Sequence, residues 1–231
     1  MSLARPAKRE KGKARRPLAV AVVTGGHSYD VPGFQKLFRG MPGTESFIQH
    51  MEDFASSPRE VRQSYDVVLF YIMLLDGPTD QGLPWYAGKP KTALEELGET
   101  EQGILVLHHA LLAYPRDPVW SEIVGVPERR FGYHMGQSIR VEVARPGHPL
   151  TKGLRPWDMT DETYTMADAG AGSEILLTAE HPKSMRTIGW TRSYRRSRVF
   201  CLQSGHDRLA WRHPSFQKVL HRGLLWCAGR I

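Results

Sequence analysis

Thiols are scarce in this chain. Of 231 residues only Cys201 and Cys227 are cysteines, too few for a disulfide framework, and neither stands in a CxxC or similar metal spacing. That scarcity fits a reducing cytoplasm. Long apolar runs are missing as well. No stretch approaches the roughly 20 apolar residues that span a bilayer, so no membrane partner is expected. Residues 18–23, behind a basic segment, mimic the apolar core of a secretory leader. They are at the short limit, however, and run into Thr24-Gly25-Gly26 with no small-x-small cleavage pattern.

Positive charge is sparse where nucleic-acid binding would need it. The formal net charge is +7, yet residues 1–16 hold seven basic side chains against the single acid Glu10, which accounts for +6 of it. A groove-reading protein carries its charge on the folded body, so no specific nucleic-acid partner is expected. Residues 1–17 read as a disordered basic tail, and residues 18–231 as a single domain.

What the chain does have is a series of buried strands. Residues 18–24 and, apart from Asp66, 65–74 ("YDVVLFYIML") are apolar, aromatic or β-branched, as is "GILVL" at 103–107. Weaker or alternating patterns predict strands at 44–50, 136–144, 173–180, 187–193 and 198–205. Helical spacing appears at 33–40, 89–98 and 214–229. Buried runs alternating with helices imply an α/β fold with a parallel sheet covered on both faces. Ligands of such sheets bind beyond the carboxyl ends of the strands.

Those strand ends are where imidazoles collect. His27 follows the first strand, Asp76 the strand 65–74, His108 and His109 the strand 103–107, and His206-Asp207 the strand 198–205. The other six histidines (50, 134, 148, 181, 213 and 221) read as ordinary turn or surface residues. Two chemistries fit the rim. Imidazoles could ligate a divalent metal, with His27, His108, His109 and His206 as the candidates. Or they could move protons, with a carboxylate fixing the tautomer of the base. In a strand, His108 and His109 would point to opposite faces, so one of them suffices for the site. There is no HExxH to decide the matter. A carboxylate-rich loop at 158–164, "DMTDETY", adds Asp161, Glu162 and Tyr164. The long Gly/Pro-rich stretch 76–90 reads as a lid or a surface loop.

In order along the chain, "VVTGGHSYD" (22–30), "DVVLFY" (66–71), "GILVLHHAL" (103–111), "GHPLTKGL" (147–154), "DETY" (161–164), "WTRSYRRSRVFCLQSGHD" (190–207) and "HPSFQKVLHRGLLWCAG" (213–229) resemble the ThuA-like, or trehalose-utilisation, family. The resemblance implies a flavodoxin-like fold similar to class I glutamine amidotransferases. In those relatives a strand–turn–helix elbow presents a cysteine nucleophile. Here His108-His109 hold the elbow, so no glutaminase chemistry is expected. The family implies a small-molecule sugar substrate, such as trehalose, another disaccharide or a keto-sugar. On this reading His206 is the general base, oriented by Glu162 or Asp207. His108 or His109 donates a proton or binds zinc, manganese or iron, while Tyr29, Asp76, Asp161, Tyr164 and Arg192 contact substrate. No nucleotide cofactor is expected, and a homo-oligomer is allowed for. The rival expectation is a sugar-binding or regulatory module that kept the fold without catalysis.

Overall fold

A computed structural model describes residues 16–231; residues 1–15, most of the expected tail, lie outside it. Arg16, inside the segment expected to be disordered, forms an ion pair with Asp66 at 2.6 Å, and its carbonyl accepts from Arg230 at 2.8 Å. The strands are β1 (Leu18–Gly25), β2 (Thr44–His50), β3 (Val67–Ile72), β4 (Gly103–Leu107), β5 (Gly132–Val143), β6 (Trp157–Thr165), β7 (Glu174–Ala179), β8 (Thr187–Tyr194) and β9 (Ser197–Leu202). The helices are α1 (Val31–Arg39), α2 (Met51–Ser56), α3 (Arg59–Arg62), α4 (Pro90–Glu95), α5 (Pro118–Val124), α6 (Arg208–Trp211) and α7 (Pro214–Cys227).

One nine-stranded sheet runs β2-β1-β3-β4-β9-β8-β7-β5-β6. The first five strands are parallel, as the flavodoxin-like expectation requires, and the remaining four join antiparallel. The division follows the sequence. β1, β3 and β4 are buried almost without interruption, the signature of strands covered on both faces. β5 alternates exposed and covered residues, as a half-solvated antiparallel strand does.

Side-chain alternation in β3 shows which helices cover which face. Phe70 meets Phe54 of α2 and Trp120 of α5, with ring centroids 6.2 and 5.0 Å away. Its neighbour Tyr71 meets Phe34 of α1 at 4.6 Å and Trp211 of α6 at 6.4 Å. Leu105, paired across from Leu69, shares the Tyr71 face, and there α7 packs through Gly223. A Cβ at Gly223 would stand 2.4 Å from the Phe200 ring, so α7 can lie this close only with glycine. Each large ring fully buried in this way contributes on the order of 2 kcal/mol. No helix among the described residues is long and apolar enough to cross a membrane.

The segment 158–164, expected as a loop, is instead the heart of β6. Although β6 is the edge of the sheet, Asp161 at its centre accepts from the backbone N–H groups of Gly205 and His206, beyond the end of β9. The antiparallel half therefore curls back over the rim of the parallel half, and α6 packs against β6.

Candidate active site

The site starts at a bend. β4 ends at Leu107, and His108 takes φ = 54°, a left-handed conformation costly for a non-glycine residue. A 3-10 turn over His108–Leu112 follows. This bend stops strand alternation, so His108 and His109 do not point to opposite faces: their ring centroids lie 5.4 Å apart within one cluster. His108 is completely buried. Its Nδ1 lies 2.6 Å from the Gln203 carbonyl, which can only accept, so Nδ1 carries the proton. The free Nε2 then accepts from the Tyr164 hydroxyl at 2.7 Å. His109 likewise donates from Nδ1, to the Ile72 carbonyl at 3.0 Å, and its buried Nε2 has no partner. Burial, reinforced by the charge of His108, pushes the His109 pKa down from 6.5 to about 2.

His27 closes the cluster from β1. Gly26, at φ = 73°, makes the turn possible: a Cβ there would fall 2.4 Å from the Met73 carbonyl oxygen. The His27 ring stands 4.7 Å from His109 and 5.6 Å from His206, and its Nδ1 donates to the Ser28 carbonyl at 2.7 Å. His206 follows β9 and is fixed through its backbone. Its N–H donates to Asp161 at 3.1 Å, and its carbonyl accepts from the Tyr71 hydroxyl at 2.7 Å. The side chain is left free to act, with Nδ1 unpartnered. Burial, with the neighbouring His108 charge, lowers the His206 pKa against the opposing pull of Glu162 and Asp207.

Glu162 lies between two of the imidazoles. Its Oε1 lies 3.7 Å from His108 Nε2 and its Oε2 3.5 Å from His206 Nε2. Both distances exceed a good hydrogen bond and leave room for a transferring proton or a small cation. Burial alone would raise the Glu162 pKa, but the neighbouring imidazoles of His108 and His206 outweigh it, and the pKa is lowered. One ligand atom from each of His108, Glu162 and His206 falls within 4.8 Å of the others. Two imidazoles and a carboxylate are a donor set suited to zinc, manganese or iron. Among the described residues His27 and His109 do not belong to this group: their rings stand beside it, but their nitrogens do not converge on the same point.

The remaining expected substrate contacts scatter. Asp161 is buried and engaged by three backbone N–H groups, of Glu162, Gly205 and His206, so it braces the site without facing a ligand. Burial lifts its pKa from 3.8 to about 6, opposed by the His108 charge and by those hydrogen bonds. Tyr164 is buried and orients His108. Asp207 caps α6 through Leu209 N–H and lies 3.8 Å from His206 Nδ1, so Glu162 is the nearer carboxylate. Tyr29 packs edge-on against Phe34 and Tyr71. Asp76 is exposed, and among the described residues it makes no hydrogen bond or ion pair with the cluster. Arg192 pairs with Val199 near the start of β9, opposite the rim, and donates to Ser173.

Two supporting residues were not expected. Gln203 accepts the hydrogen bond of His108 Nδ1 on its carbonyl while its side-chain amide donates to the Glu162 carbonyl at 3.0 Å, tying β9 to β6. Its place in the polar "QSGHD" following an apolar strand is the signal that marks it. Tyr71, inside an apolar strand, carries no such mark. Of the six histidines read as ordinary, His50 and His213 accept from backbone N–H groups at the starts of α2 and α7.

Comparison with known proteins agrees with this architecture. A ThuA-like protein from Parabacteroides merdae superposes with a TM-score of 0.71 at 19% identity, covering 93% of this chain and 91% of that one. A ThuA-like protein from Bacteroides uniformis gives 0.69 at 19% identity, covering 95% of each chain. A GMP synthase subunit from Thermoplasma acidophilum gives 0.52 at 10% identity over 91% of this chain and 95% of that one, which extends the shared fold to amidotransferase-like proteins. No curated protein matches the sequence. The profile of the family described as "Trehalose utilisation" matches residues 20–227, nearly the whole described chain, and the protein belongs to this ThuA family.

Proposed function

We propose that the protein is an enzyme of sugar utilisation that moves a proton next to a carbonyl of a disaccharide or keto-sugar, working in the cytoplasm. The observation that carries this reading is Glu162, whose two oxygens each face the Nε2 of a different imidazole, His108 and His206. His206 is the exposed member, with 16% of its side chain accessible against none for His108, so it is the one to meet substrate. With its pKa lowered it is neutral near pH 7 and takes up a proton as general base. Glu162, ionised, stabilises the imidazolium that forms. His108 is itself locked in place, by the Gln203 carbonyl on Nδ1 and the Tyr164 hydroxyl on Nε2.

The same three residues would hold a divalent cation, which would supply Lewis-acid polarisation of the carbonyl. His206 cannot be ligand and base at once, so the two versions exclude each other. A thioester route lacks its reagent: Cys201 and Cys227 are buried in β9 and α7, with thiol pKa values pushed up by burial.

Exchange of the proton beside the carbonyl of a keto-sugar panel, followed by NMR in D2O, tests the reading. Enzyme-dependent exchange that is lost in His206→Ala supports it. Sugar binding without exchange, equal in the wild type and His206→Ala, overturns it in favour of a binding module. Elemental mass spectrometry of the wild type and of a His108→Ala/His206→Ala double variant separates the two versions. Near-stoichiometric metal that vanishes in the variant selects the cation-assisted one.

A further inference from the structure

A second site lies away from the histidine rim. Between α1, α6 and α7 there is a groove of about 500 Å³, within the range of small-molecule sites. Its walls bring together four cations from three helices: Lys36 on α1, Arg208 on α6, Arg212 just past α6, and Lys218 on α7. None of the four takes part in an ion pair among the described residues. The carboxylate lining the groove, Asp30, is engaged at the start of α1, where it accepts from Gly33 N–H. The floor is apolar, formed in part by Leu37 and the buried indole of Trp211, whose Nε1 donates to the Gly205 carbonyl.

Four unpaired like charges around one hollow repel each other and contribute nothing to folding. They are a gain only when an anion enters. Arg208 and Arg212 are four residues apart and so project on one side of their helical turn, and two guanidinium forks there match the oxygens of a phosphoryl group. Lys36 on α1 and Lys218 on α7 add point charges to the same lining, and apolar Leu37 and Trp211 suit the carbon skeleton that such a group rides on. We propose that this groove binds a small phosphorylated molecule, with the phosphoryl group between the two arginines. The site is separate from the proton-transfer reading, although α6 connects them: it begins two residues after His206.

The test uses the full chain with glucose 6-phosphate, inorganic phosphate and glucose as probes, measured by isothermal titration calorimetry. The proposal expects saturable binding of glucose 6-phosphate, weakened at least tenfold by Arg208→Glu, by Arg212→Glu and by Lys218→Glu. Arg130→Glu, an exposed reversal outside the groove, should leave it unchanged. Equal affinity for inorganic phosphate with the same variant pattern also supports the site and narrows it to the phosphoryl group alone. Weakening of equal size by Arg130→Glu would place the binding in general charge, including that of residues 1–15, and overturns the proposal. Saturation by neither phosphorylated probe overturns it as well. All four positions are exposed, and circular dichroism of each variant shows that a loss of binding is not a loss of fold.

Discussion

The parallel and antiparallel halves of the sheet equip the same rim by different routes. In the parallel half, β1, β4 and β9 each end at the rim, and His27, His108, His109 and His206 arrive simply by following a strand. In the antiparallel half nothing arrives by ending. β6 curls over, and Asp161, Glu162 and Tyr164 come from its interior, engaged by groups far away in the sheet order. The first half supplies imidazoles at positions dictated by topology. The second supplies the carboxylates and hydrogen bonds that face those imidazoles, and it holds them only while the curl holds.

Substitutions in the two halves should therefore fail differently. The largest effect belongs to His206→Ala, in the parallel half. It should cut turnover ~10²–10⁴-fold, the worth of a positioned acid–base group, while chemical denaturation stays close to wild type. The deuterium-exchange rate and a urea melt read the two quantities side by side. Asp161→Ala, in the curled half, should do the reverse in kind. It strands three backbone donors and should lower stability by about 1–3 kcal/mol, with activity lost because His206 and Glu162 lose their brace. A variant with full stability would show that the curl is held by something other than this carboxylate.

A third prediction concerns pH. In the unfolded chain His109 titrates near 6.5, while the fold holds it down to about 2, so the unfolded chain takes up the proton first as pH falls. The stability this supplies is complete above about 6.5 and drains away as pH drops toward 2. Asp161 has the opposite sign. Raised from 3.8 to about 6, its contribution is present below 3.8 and lost as pH climbs through 6. His109→Asn keeps a donor for the Ile72 carbonyl but cannot titrate, so the acid side of the stability profile should flatten. Urea melts from pH 4 to 7 measure the slope, and an unchanged slope would assign acid sensitivity to another group. The smallest effect is expected of Arg192→Ala. This removes the hydrogen bond to Ser173, worth under about 1 kcal/mol, and leaves turnover untouched.

The same contrast explains what could be read in advance. β4 at 103–107 and β2 at 44–50 are legible to the residue, and β1, β7 and β8 nearly so, because an unbroken or alternating apolar run speaks for itself. β6 is not, because its central residues are Asp161, Glu162 and Thr163, polar groups that ordinarily mark a loop. They are buried only because distant donors and imidazoles satisfy them, a fact that no local window contains. Trp157 and Met159 alternating with Asp158 and Thr160 is the one local hint of a strand. Likewise Arg192 looks like a ligand in "WTRSYRRSR" because sequence shows which residues are polar but not which end of a strand they occupy. Helix α5 escapes the periodicity, although Asp117-Pro118 opens it as a cap and first-turn proline should.

The left-handed bend at His108 has a consequence of its own. Strand, bend and turn are held by neighbours on every side, so the backbone commits to a shape before it commits to a reagent. Whatever residue is installed at that point is thrust to the same spot, beside the same carboxylate and the same carbonyl. Two proteins with this scaffold can then diverge in chemistry by a single replacement at the bend while every surrounding strand stays put. Likeness of architecture in this lineage is thus a poor guide to the reaction, and the identity of one side chain at one socket is a good one.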